Sequence, residues 1–312
     1  MAVYTILQHD ELRHLLSHYD LAGLLSFQGA SSGIENSTYF LTLADGSSCV
    51  LTVFEQFSLT QLKPYVELTT LLHSCHLPVP CPIPDRLGNT VQMIVGKPAL
   101  LFERAPGHHL QTVDAPACLA VAEFLGAMHS VPMSPGLSSL ANPCGLPWMK
   151  ETYAFVSHSL NAVDQGLLLE QIALSEALER RQLPRGIIHG DLFRDNVLFQ
   201  ELKISAVIDF YNAGRDILLL DLAIAANDWC FIGSADQPAL ANWLLEAYRQ
   251  YRTPSQEELS AWHACLQVAA ARFWLSRQKR VVLAESGMAR LTKDPGEYKK
   301  LLLGHLRYRP CK

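Results

Sequence analysis

Residues 187–210 read IIHGDLFRDNVLFQELKISAVIDF. Short runs of Ile, Val, Leu and Phe with the composition of buried strands bracket His189, Asp191, Asn196 and Asp209. An ionisable group beside an apolar strand is costly unless it is paired, hydrogen-bonded or bound to a cation. A polar cluster within one hairpin's length therefore needs a shared purpose. If 197–199 and 204–208 pair across the turn QELK, Asn196 and Asp209 lie at the same end of that hairpin and converge on one point. An amide oxygen and a carboxylate are hard ligands suited to Mg2+, which keeps its remaining positions for water and phosphate. Asp191, at the edge of that point, can accept or orient a proton from an incoming hydroxyl. Phosphoryl transfer needs those parts.

The rest of the chain sets the frame. Its 312 residues, 49% of them apolar and 18% charged, describe a folded globular protein with enough length for one large domain or two smaller ones. The net charge of −5 argues against a nucleic-acid partner. Charge is uneven: residues 211–312 carry 14 Lys+Arg against 10 Asp+Glu, and residues 1–210 carry 11 against 20. The N-terminus lacks the basic start and apolar core of a signal peptide, and no apolar run approaches a membrane span, so a soluble, cytoplasmic protein without a membrane partner is expected. Eight scattered cysteines without a C-x-x-C pair fit reduced thiols. His73, Cys75, His76 and Cys81 could imitate a zinc site, but they end an apparent helix, run into a proline-rich loop and lack a second ligand pair, so packing is the better reading.

Two β-rich runs fill 37–54, joined at ADGS, where Asp-Gly tolerates the positive φ of a tight turn. The Gly- and Ser-rich stretch FQGASSGIENS precedes them, so the chain begins as strand, glycine loop, strand, turn, strand. Apolar spacing predicts a helix over 60–74, the prolines of 77–84 exclude regular structure, and a second hairpin carries TVQMIV and KPALLFER. Beyond a linker at 105–109 the spacing is helical near 115–129, 148–160, 164–182, 217–229, 238–251, 256–285 and 295–303. The expected class is α+β, with a small β-rich lobe at 1–104, a larger, mainly helical lobe at 105–312, and a cleft between them.

HGDLFRDN followed by the DF of Asp209 resembles the catalytic segment of protein kinases, with Gly190 where that template has arginine. The H-G-D form resembles the aminoglycoside phosphotransferase and choline kinase group. The strings GIENSTYFL, VLTVFE, LPVPCPI, GKPALLFERAPG and RFWLSR make the chain similar to the bacterial homoserine kinases of this fold. The resemblance implies a protein-kinase-like fold with ATP in the cleft, Asp191 as the catalytic aspartate, His189 as support for its loop, and Asn196 and Asp209 as Mg2+ ligands. It further implies that Gly29, Ser31, Ser32 and Gly33 cover the phosphates through backbone N–H groups, and that Asp221, inside LLLDLAIAA, holds the catalytic loop from below. His129, at the end of an amphipathic helix, is read as structural.

One position departs from the template. The strand lysine that contacts the ATP phosphates falls at Thr52, which leaves Glu67, on the helix that would carry its partner, without the usual cation. Either Lys97 or Lys63 takes that place, or the protein binds nucleotide without efficient turnover. The retained Asp191, Asn196 and Asp209 favour an enzyme. For the acceptor, Arg272, Ser276 and Lys279 share one helix face, and an arginine fork suits a carboxylate such as that of L-homoserine. Arg272 is the residue expected at that carboxylate; oligomeric state stays open.

Overall fold

The computed structural model describes residues 3–30, 36–231, 238–287 and 293–307. The chain divides into two compact units, Met1–Gly107 with Ser205–Ile208, and His108–Ile204 with Asp209–Lys312.

The first unit holds helix α1 (His9–Leu16), strands β1 (Leu24–Gly29), β2 (Ser37–Leu43) and β3 (Ser48–Val53), helix α2 (Leu59–Ser74), and strands β4 (Val91–Ile94) and β5 (Lys97–Glu103). The strands form one antiparallel sheet in the order β1-β2-β3-β5-β4. Alternation assigns the faces: Tyr39, Leu41 and Leu43 on β2 and Cys49, Leu51 and Val53 on β3 are buried, with Tyr39 opposite Leu51 and Leu41 opposite Cys49. Leu12, Leu15 and Leu16 of α1 complete that core. The sequence reading has no helix here. Eight residues are too few for a helix to hold itself in water, so α1 depends on the sheet face it covers. At the expected ADGS turn Gly46 has φ +85°, and the Asp45 carboxylate accepts the Ser47 N–H at 2.9 Å.

The second unit contains helices α3 (Ala115–His129), α4 (Pro135–Ser138), α5 (Leu146–Val156) and α6 (Ala162–Glu179), strands β6 (Arg185–Ile188), β7 (Val197–Gln200), β8 (Lys203–Val207) and β9 (Gly214–Ile217), and helices α7 (Leu218–Ala226), α8 (Pro238–Arg249), α9 (Gln256–Glu285) and α10 (Pro295–Arg307). The last residues of β8 group with the first unit. Asp114, Asn161 and Ser255 start α3, α6 and α9 by accepting a first-turn N–H on their side chains. The 30-residue α9 packs against α5, α6, α7 and α10. Every residue of α7 is buried, as expected of a helix apolar on all sides, and it runs into a π-helical turn at Asn227–Phe231 where the sequence reading continues an α-helix to 229. Among the described residues no helix is long and apolar enough to cross a membrane.

Candidate active site

Strand β6 pairs antiparallel with β9, Ile188 opposite Gly214, and the chain leaves β6 at His189. A loop of this length buried beside apolar strands must satisfy its own backbone. The carboxylate of Asp221, on α7 and fully buried, accepts the His189 N–H at 2.7 Å and the Gly190 N–H at 2.9 Å. It also meets His129 Nε2 at 3.1 Å, and the other nitrogen of that ring meets the Tyr248 hydroxyl at 2.8 Å. Burial opposes ionisation of Asp221, yet the hydrogen bond and field of His129, the field of His189 and the Gly190 amide hold its carboxyl below the usual range. Asp221 thus grips the loop by its first two amides, the structural role expected for it, and His129 supports Asp221.

The remainder of the loop is tied as closely. The Asp191 N–H donates to His189 Nδ1 at 3.2 Å. Asn196 Nδ2 donates to the Asp191 carbonyl at 2.7 Å and to its carboxylate at 3.2 Å. With its amide nitrogen spent there, the amide oxygen is the atom of Asn196 that could hold a cation. The indole of Trp229 donates to the Leu192 carbonyl at 3.0 Å, and Asp228 accepts the Arg194 N–H at 2.8 Å and its Nε at 3.1 Å. Asp228 and Trp229, both on the π-helical turn, are loop anchors that the sequence reading misses. Their signal is the polar pair Asn227–Asp228 and an indole in AANDWC, following an apolar run. Burial outweighs Arg194 at Asp228 and raises its carboxyl above the usual range.

Asp209 follows the β7–β8 pair, whose two-residue connection makes the strands antiparallel and returns the chain to the end where Asn196 lies. Its backbone is left-handed, φ +66° and ψ +54°, a costly conformation for a non-glycine residue and one that tends to persist at functional sites. The next residue, Phe210, packs on the His189 ring with centroids 4.5 Å apart, which brings the Asp209 segment against the Asp191 loop. Gly190 has φ +76°, and a Cβ there would stand 2.7 Å from the Asn212 carbonyl oxygen. With that contact and the positive φ, an arginine side chain does not fit at this position.

The other expected residues fall as follows. Gly29 belongs to the end of β1, paired with Tyr39, rather than to a loop; a Cβ on it would stand 2.7 Å from the Val3 side chain, which would have to shift. Ser31, Ser32 and Gly33 lie outside the described residues. Thr52 is half-buried on β3 opposite Leu100, and Glu67 and Lys63 are on the exposed side of α2. The Lys97 ammonium pairs with Glu55 and donates to the Thr5 hydroxyl at 2.7 Å, while Glu55 also accepts the Ser37 hydroxyl at 2.5 Å. This cluster straps the N-terminal segment to the sheet. Arg272 is buried on α9 and donates through Nη2 to the Gly190 carbonyl at 2.6 Å. His73 Nδ1 meets the Val79 carbonyl at 2.9 Å, a packing contact.

Residues 26–259 match the phosphotransferase enzyme family. A homoserine kinase of Methylobacillus flagellatus is 38% identical over 305 residues, covering 97% of this chain and 94% of the relative. A homoserine kinase of Pseudomonas aeruginosa is 40% identical over 308 residues, covering 97% and 96%. Among solved structures, an amicoumacin kinase in complex with AMP-PNP, Ca2+ and Ami superposes with a TM-score of 0.69 at 17% identity, over 96% of this chain and 95% of that one. A spectinomycin phosphotransferase in complex with ADP and spectinomycin superposes with a TM-score of 0.69 at 15% identity, over 97% and 100%. These two share the fold. With the family matched over most of its length and its curated relatives spanned nearly end to end, the chain belongs to the phosphotransferase enzyme family, among the homoserine kinases.

Proposed function

We propose that this protein transfers the γ-phosphoryl group of ATP to the side-chain hydroxyl of L-homoserine, giving O-phospho-L-homoserine, a step toward threonine. The observation that carries the reading is the likeness, over 97% of the chain, to relatives named homoserine kinase. The loop geometry supports it. Asp191 would receive the acceptor's hydroxyl proton as the oxygen bonds to the γ-phosphorus and the bond to the β–γ bridging oxygen breaks, releasing ADP. Asn196, through its amide oxygen, and Asp209, through its carboxylate, would hold Mg2+, a donor set of hard oxygens that fits this ion. When bound, the ion supplies neutralisation of phosphate charge. Asp221, Asp228, Trp229 and His129 would keep Asp191 in place, so that catalysis rests on positioning and charge complementarity.

The test is ADP release from Mg·ATP with L-homoserine, L-serine, choline and kanamycin as parallel acceptors. Turnover confined to homoserine, and about 10²–10⁴-fold lower in Asp191→Ala as expected for loss of a general base, supports the reading. Turnover only with another acceptor removes L-homoserine. Mg·ATP binding without transfer to any acceptor would instead favour a nucleotide-binding module, the possibility kept open by Thr52.

A further inference from the structure

Arg272 is a buried cation that the mechanism above leaves unused. It is 3% exposed, and its Nη2 is spent on the Gly190 carbonyl. Its Nη1 has no hydrogen-bond partner, and among the described residues Arg272 takes part in no ion pair. A guanidinium does not shed its charge or its donors, so a buried N–H left without an acceptor is unfavourable unless something else supplies one. Arg272 lines a cavity of about 10 Å3, room for one water-sized group. Gly145, Leu146 and Met149, at the N-terminus of α5, line it too. Gly145 offers no capping side chain, and the peptide dipoles of this 11-residue helix add to a positive end there. Two carboxylates border the same space, but both are engaged. Glu179 pairs with Arg185 at 2.7 Å, and Asp216 accepts from the Asn142 amide at 2.5 Å and the Ile217 N–H at 2.7 Å. The Gly145 N–H donates to the Asn142 carbonyl at 3.3 Å and Pro147 has no N–H, so the unspent groups are the guanidinium Nη1 and the remaining first-turn amides of α5.

We propose that one carboxylate oxygen of the acceptor enters this cavity and binds Arg272 Nη1 and the α5 N-terminus. The inference rests on the homoserine kinase reading. One guanidinium then serves two groups: Nη2 holds the peptide that joins Gly190 to Asp191, and Nη1 holds the acceptor. In homoserine three carbons separate carboxylate from hydroxyl, so anchoring the first beside the Asp191 loop restricts where the second can lie. An amino alcohol without the carboxylate leaves the buried Nη1 unmet, which is the strong form of discrimination.

The experiment compares kcat/KM for L-homoserine and 3-aminopropan-1-ol, the same molecule without its carboxylate, in the parent, Arg272→Gln and Arg272→Lys. Where turnover of the amino alcohol is below detection, its inhibition constant against homoserine is used. The parent is expected to prefer homoserine by about 10³-fold or more. The preference should fall at least about 10²-fold in Arg272→Gln and be restored in part by Arg272→Lys. A preference is a ratio within one preparation, so partial unfolding of a variant leaves it unchanged. Equal losses with both acceptors would show that Arg272 acts only through Gly190 and would overturn the proposal, as would a parental preference below about tenfold, which needs no variant. A parent that does not phosphorylate homoserine would refute the function itself.

Discussion

The two ends of the Asp191 loop are anchored by buried aspartates seven positions apart, Asp221 and Asp228, and their carboxyls are shifted in opposite directions. Asp221 lies deeper, yet its carboxyl is lowered, because two backbone N–H groups and His129 point at it. Asp228 is slightly more exposed, yet its carboxyl is raised, because burial outweighs the two donors that Arg194 supplies and Asp195 adds like charge. Donor number, not depth, decides which carboxylate is comfortable as an anion.

The sharpest way to break this comparison is to remove the better-satisfied anchor. Asp221→Ala strands two loop amides and His129, and should cost about 3–5 kcal/mol, as for a broken buried pair. Denaturant unfolding would read it; a loss below about 1 kcal/mol would mean the loop does not depend on Asp221. Gly190→Ala forces a side chain into left-handed backbone and against the Asn212 carbonyl, with an expected cost of about 2–4 kcal/mol. Asp228→Ala should cost less, about 1–3 kcal/mol, since only Arg194 is left unmet. If it matches Asp221→Ala, the donor-count argument fails. Smallest is Lys97→Met in the first unit, where the partly exposed pair with Glu55 should be worth less than about 1 kcal/mol.

Acidification separates the anchors by sign. Asp221, with a folded pKa below the unfolded value near 3.9, contributes stability above that pH and loses it as pH falls through the folded value. For Asp228, with a raised folded pKa, the folded state binds its proton more tightly, so stability is gained as pH falls toward about 3.9. Melting midpoints followed from pH 6 to pH 3 should therefore drop less steeply in Asp221→Asn than in the parent, and more steeply in Asp228→Asn. Parallel curves for all three would contradict the assignment.

Much of this loop is legible in the sequence. His189, Asp191, Asn196 and Asp209 sit close together in the chain, and their chemistry makes sense only as a group. The sheet of the first unit was legible from the alternation of Tyr39, Leu41 and Leu43 with polar neighbours. The anchors were less so. His129 meets Asp221 across 92 positions and Tyr248 across 119, and no local pattern records a pairing at that distance. Arg272 and Lys279 were read as one basic helix face. In the structure Arg272 turns to the Gly190 carbonyl while the Lys279 ammonium lies 5.8 Å from the Trp148 ring centre.

Sequence alone pointed to the fold class through strand and helix periods, and to phosphotransferase chemistry through the resemblance carried by HGDLFRDN and the following DF, because both are local properties of residue type and spacing. Only the tertiary structure decided what holds that loop. A buried carboxylate or guanidinium must find partners wherever packing brings them, and packing joins Asp221 to His129, Asp228 to Arg194, and Arg272 to Gly190 across stretches of chain that carry no mark of one another.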